Sequence, residues 1–391
     1  MNKTLKNDLA KSLGYTLFLA VFFVLIIWDY NSISQIISST VYMIVLYFIL
    51  FAVGRENTGS WLQKIVDYNV YKIGILSVIL LLIYYSYLVI NNQNPFKGLN
   101  GLLPFFILLF PFVFALKIQQ GKKVDWLDFS MLFLFIVPVT LINLGANSNL
   151  PISGGGFDSV YRIIVLITGV YSFGVIRNIK DIGFYPEFNF KKIGTAIWVW
   201  ITFYFFIYFV AFSVDFITYK GHDTVDKELI FNIIKKLFST FLHVALFEEL
   251  VFRGLLQNML QKRINQTKNW RTFWKWGFIS LVILSMITGY FMEGKMKWFP
   301  ALITFLIFIV AYFIEKNKIE MVGTYIALAI TSVIFGLVHF HSGSIIFVGL
   351  ASIGGWAYGY TYIKTKNIFY AALVHTLVNS TAMMVGFELM K

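Results

Sequence analysis

The 391-residue chain contains no cysteine. That excludes a disulfide framework, a thiolate nucleophile and a cysteine-ligated metal, and leaves hydroxyls, carboxylates and imidazoles for any hydrolytic chemistry. Charge is scarce as well. Charged residues make up 13 % of the chain, against about a quarter in soluble domains, so a water-soluble fold is not expected. The N-terminal MNKTLKNDLAK runs into an apolar segment with no small-residue cleavage site before Trp28, Asp29 and Tyr30, so this segment is expected to be a retained first span rather than a signal peptide. No internal repeat is evident, which counts against a transporter built from two related halves.

What is present is apolar: 58 % of residues, with a mean hydropathy of +0.74. Uninterrupted apolar stretches of roughly 17 to 22 residues recur, the length of helix that crosses about 30 Å of hydrocarbon. A backbone in lipid must satisfy its own hydrogen bonds, which favours helices. The expected fold is therefore an all-α polytopic transmembrane bundle. Its thirteen expected spans are 13–33, 36–54, 70–90, 99–117, 128–145, 159–176, 193–215, 237–261, 276–292, 298–314, 322–340, 345–363 and 369–388.

The net charge of +13 comes from short Lys and Arg clusters between these spans, with no continuous stripe for nucleic acid. Placing the N-terminus in the cytoplasm puts most clusters in inside loops, as the positive-inside rule requires. The loop at 220–236 is the exception, its acids balancing its bases. Residues 181–193 are too polar to span and suit an interfacial segment. They also mark an expected boundary between an accessory N-terminal region, 1–180, and a second region, 181–391. Gly154, Gly155 and Gly156 read as a flexible loop, lacking the Lys and helix start of a phosphate cradle.

A charge near the bilayer centre costs about 2.5–3.5 kcal/mol on insertion scales, so such residues are functional candidates. The span 237–261 holds His243, Glu248, Glu249 and Arg253. On an α-helix Glu249 and Arg253 share a face. Glu248 points roughly 100° from its neighbour and is the carboxylate left without a local partner. Two later spans add Phe335 and His339, four residues apart, and His375 and Asn379, also four apart. Three helices can thus bring a carboxylate, two imidazoles and a carboxamide to one cavity. The plainer readings are a structural charge cluster for the acidic span and a packing role for His243. His341 is expected in a surface loop, His222 in a charged loop, and Ser239, Ser332 and Ser380 lack the exposed setting of a nucleophile.

The sequences Glu248-Glu249-Leu250-Val251-Phe252-Arg253, Phe335 to His339 and His375 to Asn379 read EExxxR, FxxxH and HxxxN in that order. Over about residues 181–391 the chain thereby resembles the CPBP family, which includes the type II CAAX prenyl endopeptidase and bacterial Abi-type membrane proteins. The resemblance implies an intramembrane endopeptidase acting on a membrane-associated peptide or protein. In it Glu248 activates water, His339 assists, His375 and Asn379 polarise the scissile carbonyl, and Glu249, Arg253 and Phe335 support them. Low-dielectric surroundings disfavour a charged carboxylate and make it a more effective base. No cofactor is expected. The alternative is a divalent metal such as zinc held by Glu248, His339 and His375.

The gap between Arg253 and Phe335 is longer than is usual in the family, and an inserted helical hairpin is expected at about 270–318. Gly355 and Gly359 form a small-xxx-small pair suited to close helix packing. Outside catalysis, the readings are a membrane scaffold or regulator of a sensor kinase or envelope enzyme, a bacteriocin self-immunity protein, and a transporter. The composition, rich in Lys, Asn, Ile and Phe, has a bacterial look, in which case prenylated substrates are not the default. The expected location is the cell membrane, and the expected partners are lipid and a peptide or membrane-protein substrate.

Overall fold

Long apolar segments with few helix breakers close their main-chain hydrogen bonds locally, and the computed structural model is accordingly mainly helical. It describes residues 3–28, 32–118, 123–140, 160–222, 224–294, 296–317 and 322–389. The glycine run 154–156 lies outside them. The chain divides into two compact units, one of Met1–Glu187 with Leu242–Val251, the other of Phe188–Phe241 with Phe252–Lys391.

The first unit contains α1 (Lys3–Ile27), α2 (Ile33–Val53), α3 (Glu56–Val66), α4 (Val70–Ile90), α5 (Leu103–Ile118), α6 (Trp126–Thr140) and α7 (Val160–Gly169), the last continuing as a π-helix over Val170–Ile176. Ser32 starts α2 with a reciprocal capping box to Gln35. Along α1 the buried residues Ser12, Thr16, Ala20, Phe23 and Ile27 recur at helical spacing, and α1 packs on α2 and α3 along this stripe. Two buried basic residues tie the ends of these helices. Arg55 donates from Nε to Ser12 Oγ at 2.9 Å and from NH2 to the Pro186 carbonyl at 2.9 Å. Arg177 grips Asp128 with two hydrogen bonds of 2.8 and 3.2 Å, while Lys117 pairs with both Asp125 and Asp128.

The second unit contains α8 (Phe190–Ser213), β1 (Ile217–Tyr219), α9 (Lys227–Ser239), α11 (Asn258–Thr267), α12 (Trp270–Phe291), α13 (Phe299–Lys316), α14 (Thr324–Leu337), α15 (Ile345–Thr365), α16 (Ile368–Val385) and β2 (Phe387–Leu389). Helix α10 (Leu246–Glu249) lies between α9 and α11 in sequence, and residues 227–267 form one continuous 41-residue helix. Helices α14 and α15 form the centre, flanked by α8, α13 and α16. Lipid tails are as apolar as leucine, so helices in a bilayer gain by close packing rather than by escaping water. Glycines permit it here. A Cβ on Gly336 of α14 would collide with Ser352 Oγ and reach the Val348 carbonyl at 2.5 Å, and one on Gly355 would sit 3.1 Å from the Ser332 backbone. Gly359, the second member of the small-xxx-small pair, lies against Leu328 and Gln257. The α12–α13 hairpin is built into this core: Ser285 and Thr304 hydroxyls meet at 2.8 Å between its arms, and α13 packs on both α14 and α15.

Each of the thirteen expected spans coincides with a helix over its described residues, 29–31, 141–145 and 159 lying outside them, and nine helices among the described residues are long and apolar enough to cross a membrane. Three of the others, in α5, α6 and α7, are shorter. The fourth, α15, is long enough, but its glycines, tyrosines and threonines lower its apolarity. It is almost wholly buried, and a helix enclosed by protein has no need to match lipid. Two stretches expected as loops are partly helical. Amphipathic α3 lies within 55–72 and α9 begins at Lys227, capped by Asp226 accepting from the Leu229 N–H at 2.8 Å. Both alternate apolar and charged residues at helical period, so neither shows as an apolar run. The last span ends at Val385 rather than 388, because Gly386 at φ 84° turns the chain into β2, which pairs antiparallel with β1.

Candidate active site

The acidic motif sits in an irregular stretch of the long helix. Thr240–Ala245 and Leu250–Gln257 are π-helical, and between them the single α-turn Leu246–Glu249 carries Glu248 and Glu249. A π-helix bonds i→i+5, and such segments recur at functional positions. The α-helical period used to assign faces therefore ends at Glu249, before Arg253. In the first unit Glu249 is fully buried and Glu248 half-buried. His243, one turn earlier, accepts at Nε2 from Arg162 at 2.9 Å, and the same guanidinium nitrogen donates to the His243 carbonyl at 3.0 Å. Guanidinium only donates, so this contact places the proton of neutral His243 on Nδ1.

In the second unit a ring cluster gathers the remaining motif residues. Phe335, buried on α14, lies 4.7 Å from the His339 ring and 5.7 Å from the His375 ring, the latter edge-on. Tyr358 of α15 stacks on His375 at 4.4 Å with 8° between the planes and meets Phe335 edge-on at 5.8 Å. The fully buried Arg253 places its guanidinium 5.1 Å from the Phe335 ring centre, 5.8 Å from Phe252 and 5.9 Å from Tyr358. Ring faces are negative and ring edges positive, so edge-on rings and a cation over the faces are both favourable.

His339 is not on the α-helix expected for it. The helix ends at Leu337, and Val338–Ser342 form a 3-10 turn closed by Gly343 at φ 75°. The tighter turn brings His339 Nδ1 to the Phe335 carbonyl at 2.7 Å. A carbonyl only accepts, so Nδ1 carries the hydrogen and Nε2 of the neutral ring presents its lone pair. His341 is held in the same way by the Val338 carbonyl at 2.8 Å. His375 is buried on α16, and Asn379, one turn on, is exposed. The buried Ser332 hydroxyl donates to the Leu328 carbonyl at 2.6 Å.

Within neither unit do three or more His, Asp or Glu side chains among the described residues gather as a metal ion would require. The second unit brings together Arg253, Phe335, His339 and His375. Glu248, Glu249 and His243 belong to the stretch that clusters with the first unit. Sequence reasoning missed two residues here. Tyr358 has no motif of its own, although Gly354, Gly355 and Gly359 around it mark a close helix approach. Arg162 is a charge within an otherwise apolar span, and the rule that such charges are costly and retained for a reason marks it out.

Residues 230–325 and 313–381 match the family model of the type II CAAX prenyl endopeptidase, Rce1-like. Comparison with curated proteins and with solved structures finds no match. The match takes in the acidic motif, the FxxxH motif and the HxxxN motif, on a chain rich in helices apolar enough to span a membrane. Residues 230–381 of this multi-pass membrane protein are thus similar to the CAAX-type membrane proteases of the CPBP family.

Proposed function

We propose that the chain is an intramembrane endopeptidase that hydrolyses a peptide bond in a membrane-associated peptide by glutamate-activated water. Glu248 takes a proton from water as the oxygen attacks the scissile carbonyl, and His339 Nε2 accepts a hydrogen bond from the same water. His375 and Asn379 donate to the developing oxyanion, a role in which fixed donors are usually the largest single catalytic term. Collapse of the tetrahedral intermediate returns the proton to the leaving amine. The observation that supports this reading is the Phe335-centred cluster, which packs against two imidazoles, together with the Phe335 carbonyl that sets the His339 tautomer. An apolar cavity of ≈ 350 Å³ in the second unit, lined by Phe203, Phe206, Ile303, Ile307, Ile353 and Trp356, suits a hydrocarbon chain and supports a lipid-anchored substrate. The basic loops support a cell-membrane protein with a cytoplasmic N-terminus.

The test uses the purified full chain in lipid nanodiscs with an internally quenched farnesylated CAAX-type peptide, alongside a comparison of membrane peptides from Glu248→Ala and parent cells. Glu248→Ala and His339→Ala are expected to lower turnover by about 10²-fold or more, with an uncut peptide accumulating in the variant cells. Undiminished turnover in both purified variants refutes the mechanism. A zinc-dependent mechanism with Glu248, His339 and His375 as ligands is separated from it by 1,10-phenanthroline, which leaves a metal-free enzyme active.

A further inference from the structure

We propose that Arg162 is a positioning residue through which the N-terminal helices hold the turn bearing Glu248 and Glu249, so that this region is part of the catalytic apparatus; the catalytic half of the inference rests on the function proposed above. The first observation is how the long helix is divided. Residues Leu242–Val251 cluster with Met1–Glu187, whereas the stretches on either side cluster with the second unit. The glutamates therefore take their surroundings in the first unit from helices outside the family match, which begins at residue 230.

The second observation is the contact itself. Arg162, near the start of α7, binds both the ring nitrogen and the main-chain carbonyl of His243 with one nitrogen, and its guanidinium lies 5.8 Å from the ring centre of Phe247. The His243 contacts fall inside the segment Thr240–Ala245, whose bonding is π rather than α, and Phe247 stands immediately before Glu248 on the α-turn that follows. A π-segment is a rare conformation that persists where its surroundings hold it. A donor on the His243 carbonyl and a plane against Phe247 hold both ends of the turn that leads into the glutamates. The planar guanidinium holds its donors in a fixed direction, whereas a lysine ammonium is a point charge on a flexible stem that makes the same bonds less rigidly. An arginine in an apolar span is costly, and an anchor for α7 alone would not need a partner in the acidic motif's own helix.

The chain has no cysteine, so Glu248→Cys introduces a single thiol. Its rate of alkylation by N-ethylmaleimide in nanodiscs reports the placement of position 248 without any catalytic step. With Arg162→Gln added, that rate is expected to change by about tenfold, with a smaller change for Arg162→Lys. His243→Leu should shift it in the same direction, and a single thiol from Gly194→Cys, on exposed α8, should be unaffected. In the cysteine-free chain, Arg162→Lys is expected to lower kcat on the farnesylated peptide by about tenfold or more with KM unchanged, as misplacement of a reacting group does. Equal alkylation rates at position 248 across the Arg162 variants overturn the proposal, as does an unchanged kcat in a chain whose parent cleaves the peptide. If the parent cleaves neither the farnesylated peptide nor a membrane peptide in the comparison of variant and parent cells, the function proposed above fails, and the alkylation rates still decide whether Arg162 positions the turn.

Discussion

Tyr358 offers the sharpest test of the ring cluster, because its ring makes three separate contacts that a substitution can keep or remove together. It stacks on His375 at 4.4 Å, meets Phe335 at 5.8 Å and lies 5.9 Å from the Arg253 guanidinium. Aromatic pairs contribute about 0.5–1.5 kcal/mol each beyond area burial, and a cation over a ring about 0.5–2 kcal/mol, the upper end when desolvated. Arg253 and Tyr358 are both buried, so Tyr358→Leu should cost at least about 1.5 kcal/mol even before the space left by the ring is counted. For a unit of this size that is a fall in Tm of about 3 °C or more. Tyr358→Phe keeps all three ring contacts and removes only the hydroxyl, so it should lose less than the leucine variant. Tm read from intrinsic tryptophan fluorescence tests the packing, and turnover of the farnesylated peptide tests whether the stack holds His375 in place. The leucine variant should lose both, and the phenylalanine variant should retain most of each. A leucine variant with the parent Tm and turnover would refute the idea that Tyr358 supports His375.

Gly336→Ala should be strongly destabilising, by about 1–3 kcal/mol or more, because the added methyl meets the backbone carbonyl of Val348 as well as Ser352. Gly194→Ala, with nothing within 4 Å, should not be, and thermal melts of the pair separate close packing from helix propensity. Asp128→Ala removes the carboxylate between Arg177 and Lys117, all three buried, and should cost about 3–5 kcal/mol, as breaking a buried ion pair does. It should appear as lost monodisperse protein. Burial pushes the Asp125 carboxyl up, but the Lys117 ammonium and the Leu127 N–H outweigh it and hold it below its ordinary value. Its contribution is therefore present above the unfolded-state value of about 3.9 and is lost as pH falls through the lower folded value. Asp125→Asn should flatten the acid limb of a Tm–pH curve below about pH 4, and only modestly, since the side chain is 43 % exposed.

Much of the candidate site was legible because its parts are local. The spacing from Phe335 to His339 and from His375 to Asn379 names residues one turn apart, and buried Glu249 and Arg253 stood out as charges in apolar sequence. Helical period alone misled at two positions. The spacing puts His339 one α-turn above Phe335, but the α-helix stops at Leu337 and His339 lies on the 3-10 turn that Gly343 closes. The face shared by Glu249 and Arg253 was drawn from α-geometry, and the helix passes to π-bonding at Leu250. Long-range contacts left no periodic trace. Tyr358 finds His375 from another helix, and Arg162 reaches His243 across 81 residues of sequence.

Composition and short motifs suffice to mark the chain as a membrane helix bundle, to locate its apolar helices and to point to the family that residues 230–381 match. These depend on composition and short spacings, and transfer from water to lipid acts on each segment separately. Only the folded structure shows which histidine nitrogen bears the proton, which ring stacks on His375, where the long helix leaves α-geometry and which compact unit the glutamates cluster with. Each of these depends on contacts between segments far apart in the chain, where a hydrogen bond or a ring stack selects one of several local conformations of similar energy.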